Sequence, residues 1–334
     1  MTLLTFSLLL AACSGKADDT AAGAAAPASE TASDTVDTVD TVDTVDTVDT
    51  VDTVDSGSTD VFFDDFDGAT LDARWKVAFR NWGGQLEDGT SYNGGVHPDN
   101  VRLPGDGTLV LEAHGDRYEG LPLGINKDGS VRPDGKRVGA AIATDAYYAS
   151  GSYEVRMKAA PVDGVSSAVW TFHYVELYPG DEGYPPDELG YYAINHEIDI
   201  ELPGRPSAAY EDISLSWALL NTWIGEKADE YTVGYTDLGA PQDDGEWHTY
   251  RFDWHTEPAR VDFYLDDVFV RTVDTTVPDR AGRFWVGAWF PRDWAGPPDF
   301  DTSAVIVDWV RITPFHEVGD VFVEETYPDH GWAE

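Results

Sequence analysis

The sequence predicts an all-β fold for residues 60–316, and two observations support this prediction. Short runs in this region alternate apolar and polar residues, are rich in Val, Ile, Tyr, Phe and Trp, and are separated by Gly, Pro and Asp-Gly pairs. No stretch has the apolar spacing of an amphipathic helix of three turns. A region of about 255 residues with this pattern is expected to form one sandwich or barrel and not several modules.

Seven strands are predicted from the alternation alone: Thr108–Ala113, Ser152–Ala159, Glu197–Leu202, His248–Trp254, Val261–Leu265, Val268–Val273 and Val305–Ile312. Only Asp266 and Asp267 lie between the strands Val261–Leu265 and Val268–Val273. Such a pair predicts a tight β-hairpin turn.

The N-terminal residues have a different character. Residues 1–12 are predicted to be a lipoprotein-type signal peptide, because Leu10-Ala11-Ala12 leads directly into Cys13, the single cysteine. Residues 13–59 contain seven copies of Thr-Val-Asp between 35 and 55, and are predicted to be a disordered acidic tether. Lipid attached to Cys13 would place the protein in a bacterial cell envelope, at the cell surface or outer membrane, with plain secretion as the alternative.

Net charge excludes several classes of partner. The chain carries −41, and the 274 residues after residue 60 hold 50 acidic and 20 basic side chains. Such a surface repels nucleic-acid phosphates and anionic lipid headgroups, so membrane contact is expected only through a lipid anchor. A single cysteine also excludes an intramolecular disulfide and a thiolate zinc site.

The segment Glu197-Ile198-Asp199-Ile200-Glu201 is the chemically most informative part of the sequence. Strand side chains alternate between faces, so the three acids are expected on one face and the isoleucines in the core. Like charges on one face raise each other's pKa, and a pair of carboxyls in different protonation states is the arrangement that cleaves glycosidic bonds. A solvated surface strand and a calcium site are the other interpretations.

This segment resembles the signature of family 16 glycoside hydrolases, which include lichenases, laminarinases and enzymes that act on algal galactans. Further motifs in the same order support the resemblance. These are Phe62–Phe66, Asn93–Val96, Gly151–Lys158, Gly164–Thr171, Trp247–Trp254 and Val307–Val310. The resemblance implies a concanavalin-like jelly-roll β-sandwich of two curved antiparallel sheets, with sugar bound across the concave face.

The resemblance also implies an activity. Glu197 would be the nucleophile, Glu201 the general acid/base and Asp199 the residue that orients the nucleophile. The expected function is retaining, endo-acting hydrolysis of a β-linked polysaccharide, with β-1,3- or mixed-linkage β-glucan favoured. A transglycosylase, an algal-galactan hydrolase and a non-catalytic carbohydrate-binding module are the alternatives. No cofactor is expected for the chemistry.

Binding residues follow from the same resemblance. The residues expected to contact sugar are Asn93, Trp170, Phe172, Asn221, Trp223, Trp289 and Trp294, with Trp289 on a strand at Phe284–Phe290. The resemblance also implies a structural calcium on the convex side, bound by the backbone carbonyls of Asp65 and Gly107 and by the side chain of Asp308. The alternative is that Asp308 is merely solvated.

Other residues have structural interpretations or depart from the family pattern. Trp75, Trp254 and Trp309 are predicted to pack in the core. His196 has the parity of the isoleucines, so it is predicted to be a core-side or edge histidine and not a catalytic base. Ala141, Ala143, Asn195 and Gly287 stand where lichenases have larger polar or aromatic residues. Mixed-linkage specificity is therefore not carried over. Residues 317–334 are expected to form a C-terminal tail that can pack on the domain, and the protein is expected to be a monomer.

Overall fold

The structure is a computed structural model. It describes residues 60–81, 94–121, 124, 135–181, 184–185, 192–203, 216–225, 231–232, 235–291, 295–323 and 331–333. All of these belong to one of two compact units of the chain. Among them, no helix is long and apolar enough to cross a bilayer. The predicted signal peptide, Cys13 and the tether lie outside the described residues, so the domain boundaries stay predictions.

Seventeen strands and one 3-10 turn at Pro98–Asn100 make up the described chain. The strands are β1 Phe62–Asp64, β2 Trp75–Val77, β3 Gly95–Val96, β4 Val101–Arg102, β5 Leu109–His114, β6 Val138–Thr144, β7 Gly151–Lys158, β8 Ser166–Leu177, β9 Tyr192–Pro203, β10 Trp217–Gly225, β11 Tyr231–Thr232, β12 Tyr235–Asp237, β13 His248–Thr256, β14 Ala259–Leu265, β15 Val268–Val273, β16 Arg283–Trp289 and β17 Thr302–Pro314. The all-β prediction is confirmed. The seven strands predicted from alternation are all present, and so is the strand that the resemblance implied at Phe284–Phe290.

The strands form two antiparallel layers. The front sheet has the order β2-β6-β16-β8-β9-β10, with β11 and β12 paired to β10. The back sheet has the order β4-β5-β17-β7-β13-β14-β15, with β1 also paired to β17. A short pairing of β5 with β6 joins the layers, and β3 pairs parallel to β6. The arrangement is the predicted jelly-roll sandwich.

The apolar core lies between the sheets and explains the alternation in the sequence. Strand β9 contributes Ile198 and Ile200 to it, and β13 contributes Phe252 and Trp254. His196 is also buried on this side, as predicted. Burial of the apolar positions therefore forces Glu197, Asp199 and Glu201 to the outer face of the front sheet.

Two local features depend on individual residues. Asp266 and Asp267 join β14 to β15 with φ angles of 49° and 62°, which is the predicted tight hairpin turn. The prediction that Trp309 packs in the core is wrong. A bulge at Asp308 shifts the inward-facing positions of β17 from Val307 to Val310. Trp309 therefore faces outward on the back sheet.

Candidate active site

The centre of the front sheet brings the three predicted carboxyls together. They lie on β9, between β8 and β10. Glu197 is half-buried, and Asp199 and Glu201 are 4% and 7% exposed. No Lys, Arg or His forms an ion pair with any of the three in the part of the chain that the structure describes. Burial without a cation favours the protonated form of a carboxyl.

Each carboxyl has its own hydrogen-bond donor. Asn195 Nδ2 donates to Glu197 Oε2 at 2.7 Å. Trp223 Nε1 donates to Asp199 Oδ2 at 2.7 Å, and Trp289 Nε1 donates to Glu201 Oε1 at 3.1 Å. The donors come from β9, β10 and β16, so the sheet register fixes the orientation of all three acids.

Burial raises the pKa values of all three acids, and neighbouring charges add to the rise for Asp199 and Glu201. Burial raises the pKa of Glu197 to about 7, against the opposing effect of hydrogen bonds from Asn195 and Asp199. Burial and the charges of Glu197 and Glu201 raise the pKa of Asp199 well above its usual range. Burial and the charge of Glu197 raise the pKa of Glu201 to about 8, and the Trp289 bond opposes this rise. Burial therefore favours the protonated form of all three acids, while the hydrogen bond from Asn195 favours the ionised form of Glu197.

Aromatic rings flank the carboxyls, but not all of them are open platforms. Trp170 lies opposite Asp199 on β8, is 8% exposed, and stacks on Trp285 with ring centroids 5.4 Å apart. Phe172 lies opposite Glu197 and stacks on Tyr174 at 6.0 Å. A sugar can therefore reach the half-buried Phe172 more readily than the covered face of Trp170.

Two departures from the family pattern have structural explanations. A Cβ at Gly287 would lie 3.1 Å from the Trp170 ring, so the glycine allows that indole to lie flat on the sheet. Asn195 occupies a position on the same face as the acids and supplies a donor to Glu197. Sequence reasoning noted both residues without giving them a role. The period of the strand would have placed Asn195 beside Glu197.

The other residues predicted to contact sugar differ in how accessible they are to a substrate. Asn221 is opposite Asp199 but fully buried, which does not fit direct contact with a sugar hydroxyl. Trp223 is also buried and acts as a hydrogen-bond donor. Trp289 is half-buried beside Glu201. Asn93 and Trp294 lie outside the described residues.

Of the predicted calcium ligands, Asp308 already has a charged partner. Asp308 is the bulged residue of β17, and its carboxylate is hydrogen-bonded to the Arg156 guanidinium. The other two predicted ligands are backbone carbonyls; Asp65 is an exposed residue, and Gly107 lies just before β5 with a φ of +81°. Arg156 already supplies the positive charge beside Asp308, so in this arrangement the Asp308 carboxylate is not free to bind calcium. No group of three or more His, Cys, Asp or Glu side chains suited to a metal occurs among the described residues.

The fold and these carboxyls define a carbohydrate-active class of protein, and comparison with known proteins agrees. A sequence model of glycosyl hydrolases family 16 matches residues 101–311. The chain therefore belongs to that family, and it is a glycoside hydrolase.

Three named proteins illustrate the similarity. The chain is 26% identical over 259 residues to a beta-glucanase of Brevibacillus brevis, covering 76% of this chain and 82% of the relative. It is 24% identical over 295 residues to beta-porphyranase C of Zobellia galactanivorans, and the match covers 81% of this chain and 75% of that relative. The Bacillus licheniformis beta-glucanase structure has a TM-score of 0.52 at 20% identity, covering 76% of this chain and 97% of that one. The structural match supports the jelly-roll fold.

Proposed function

We propose that the protein is an endo-acting hydrolase of β-linked glucan that retains the anomeric configuration. The observation that carries this proposal is the unequal environment of Glu197 and Glu201 on one face of β9. Asn195 Nδ2 donates to Glu197 at 2.7 Å and favours its ionised form, while burial and the charge of Glu197 raise the pKa of Glu201. Two carboxyls held in different protonation states are what a retaining glycosidase requires.

The proposed reaction has two steps. Glu197 attacks the anomeric carbon while Glu201 donates its proton to the leaving glycosidic oxygen. Water then attacks the covalent glycosyl-enzyme, and Glu201 takes the proton from that water. Asp199 keeps its proton and donates a hydrogen bond to Glu197, which orients the nucleophile and favours its charge.

The strand geometry sets a condition on this mechanism. Four residues along a flat strand span about 13 Å. A retaining pair of carboxyls is about 5–5.5 Å apart. Glutamate at both ends supplies the longer side chains that lean toward each other, and curvature of the front sheet brings them closer. The charge of Glu197 contributes to the raised pKa of Glu201, which supports close approach.

Relatives named beta-glucanase favour β-1,3- or mixed-linkage glucan as the substrate. The relative named beta-porphyranase C, which aligns with 81% of this chain, supports an algal galactan as the second candidate. A purely binding module is disfavoured, because three adjacent carboxyls with raised pKa values, two of them buried, cost stability that binding alone does not require.

The test is a product profile on β-1,3-glucan, mixed-linkage glucan and algal galactans, with and without an oligosaccharide acceptor. The wild type should release oligosaccharides from a β-glucan, and Glu197→Gln and Glu201→Gln should each lower kcat by at least about 100-fold. Glu154→Gln on the outer face of the back sheet is the matched control and should keep full activity. Full activity in both site variants would contradict the proposal. Transfer to the acceptor in place of water would identify a transglycosylase.

The proposed location follows from the N-terminal sequence. A lipid on Cys13 and a tether through residue 59 would hold a monomeric enzyme at the cell envelope, facing outward, where polymers too large to enter the cell are accessible. Secretion without an anchor is the alternative.

A further inference from the structure

Three nearly parallel indole rings extend from the carboxyls toward the β2 edge of the front sheet. Trp170 stacks on Trp285 with an interplanar angle of 12°. Trp285 stacks in turn on Trp332, with centroids 5.0 Å apart and an angle of 22°. Because Trp170 is the cross-strand neighbour of Asp199, the row of rings begins beside the proposed reaction centre and ends at Trp332.

Backbone pairing holds Trp332 in this place. Phe79 N donates to Gly331 O at 2.7 Å, and Ala333 N donates to Val77 O at 2.9 Å. These bonds align residues 331–333 antiparallel to the β2 edge, with Trp332 opposite Ala78. Gly331 has a φ of +99°, a conformation that favours glycine, so this local sequence suits the turn into the pairing.

Small residues on the front sheet leave room for the Trp332 ring. Ala78, Ala141 and Ala143 lie in one buried cluster with Trp170 and Trp285, and Trp332 packs against it. Each alanine extends only one carbon above the sheet, so a large ring can lie over these strands. The two departures from the lichenase pattern on β6 are thereby explained by an internal side chain.

Cations surround the same ring. Lys76 Nζ lies 5.2 Å from the Trp332 centroid, and the guanidinium carbons of Arg80 and Arg283 lie at 4.5 Å and 5.7 Å. Each such contact is attractive. Pairing, stacking and cations together fix Trp332 over Trp285, which is only 2% exposed.

We propose that Trp332 is a specificity-determining residue that closes one arm of the sugar-binding groove. It covers the face of Trp285, which would otherwise offer a stacking platform on the front sheet. The protein therefore contacts few sugar units of the polysaccharide on the β2 side of the carboxyls. This inference rests on the proposed function and adds a limit to the length of substrate that the groove accommodates.

The experiment compares kcat/KM along a series of oligosaccharides of increasing length, cut from the glucan that the wild type hydrolyses. In Trp332→Ala, the exposed Trp285 should raise kcat/KM for the longest substrates by roughly twofold to tenfold, and the wild type should reach its plateau at a shorter length. Short substrates should be unaffected. Trp332→Phe keeps a ring over Trp285 and should retain the wild-type profile.

Two further measurements keep the test decisive. Val318→Ala is the matched control, because Val318 is 99% exposed in the same C-terminal region and should change nothing. Affinity electrophoresis in gels containing the polysaccharides does not need turnover, and Trp332→Ala should be retarded more than the wild type. An unchanged mobility and length profile, or a loss restricted to long substrates, would overturn the inference. A wild type that hydrolyses no polysaccharide would contradict the proposed function, and retardation would still test the role of Trp332.

Discussion

Glu201→Gln should stabilise the protein, and the gain should grow with pH. The Glu201 pKa is raised from 4.5 to about 8 in the folded protein. Between these values the folded state binds more protons at this site than the unfolded state, so the free energy of unfolding falls as pH rises. A glutamine is neutral at every pH, and its amide oxygen can still accept the Trp289 hydrogen bond.

The shift sets the size of the effect. One pKa unit corresponds to 1.36 kcal/mol, so the penalty that Gln removes approaches an upper limit of about 5 kcal/mol above pH 8 and vanishes near pH 4. With roughly 2–4 °C of melting temperature per kcal/mol in a domain of this size, this limit corresponds to a rise of about 10–20 °C, and the rise at pH 8 should lie below it.

Differential scanning calorimetry of wild type and variant at pH 4.5, 6, 7 and 8 measures this difference directly. Glu154→Gln is the control, since Glu154 lies on the other sheet beside Arg311 and should give no gain that grows with pH. An equal melting-temperature change at all four pH values, or destabilisation at pH 8, would refute the assignment of a high pKa to Glu201.

Three other predictions follow from the site, the back sheet and the N-terminus. Asp199→Ala removes a hydrogen-bond donor that lowers the Glu197 pKa, so the acid limb of the pH–rate profile should move to higher pH. Asp199→Asn keeps a donor and should move the acid limb less. Identical acid limbs for the wild type and both variants would show that Asp199 does not affect the Glu197 pKa. Added calcium or EDTA should leave the melting temperature unchanged, because Arg156 neutralises Asp308, whereas a calcium-dependent rise would restore the predicted metal site. Cys13→Ser should move the protein from the membrane fraction to the soluble fraction with its activity intact; wild type that is never lipid-labelled would favour plain secretion.

Much of the fold could be predicted because alternation directly encodes which face of a strand is buried. The positions of Ile198 and Ile200 were sufficient to place Glu197, Asp199 and Glu201 together on the opposite face. The tight turn between β14 and β15 was also readable, since two residues between two strands leave few backbone solutions.

The errors and omissions come from contacts between distant residues. A one-residue bulge at Asp308 exchanges the inward-facing and outward-facing positions of β17 after Val307, and the alternation of the sequence does not reveal this bulge. The pairing of Asp308 with Arg156 spans 152 residues. Trp332 reaches Trp285 only because residues 331–333 add to the edge at β2, which no local pattern reveals.

The central claim is that Glu197 and Glu201 hydrolyse a β-glucan by double displacement. Proton NMR of the anomeric signals in the first minutes of wild-type hydrolysis tests it most directly, before the released sugars mutarotate. The mechanism predicts that the new reducing ends first appear as the β anomer and only later equilibrate. Initial release of the α anomer would mean inversion and would contradict the assignment of Glu197 as nucleophile.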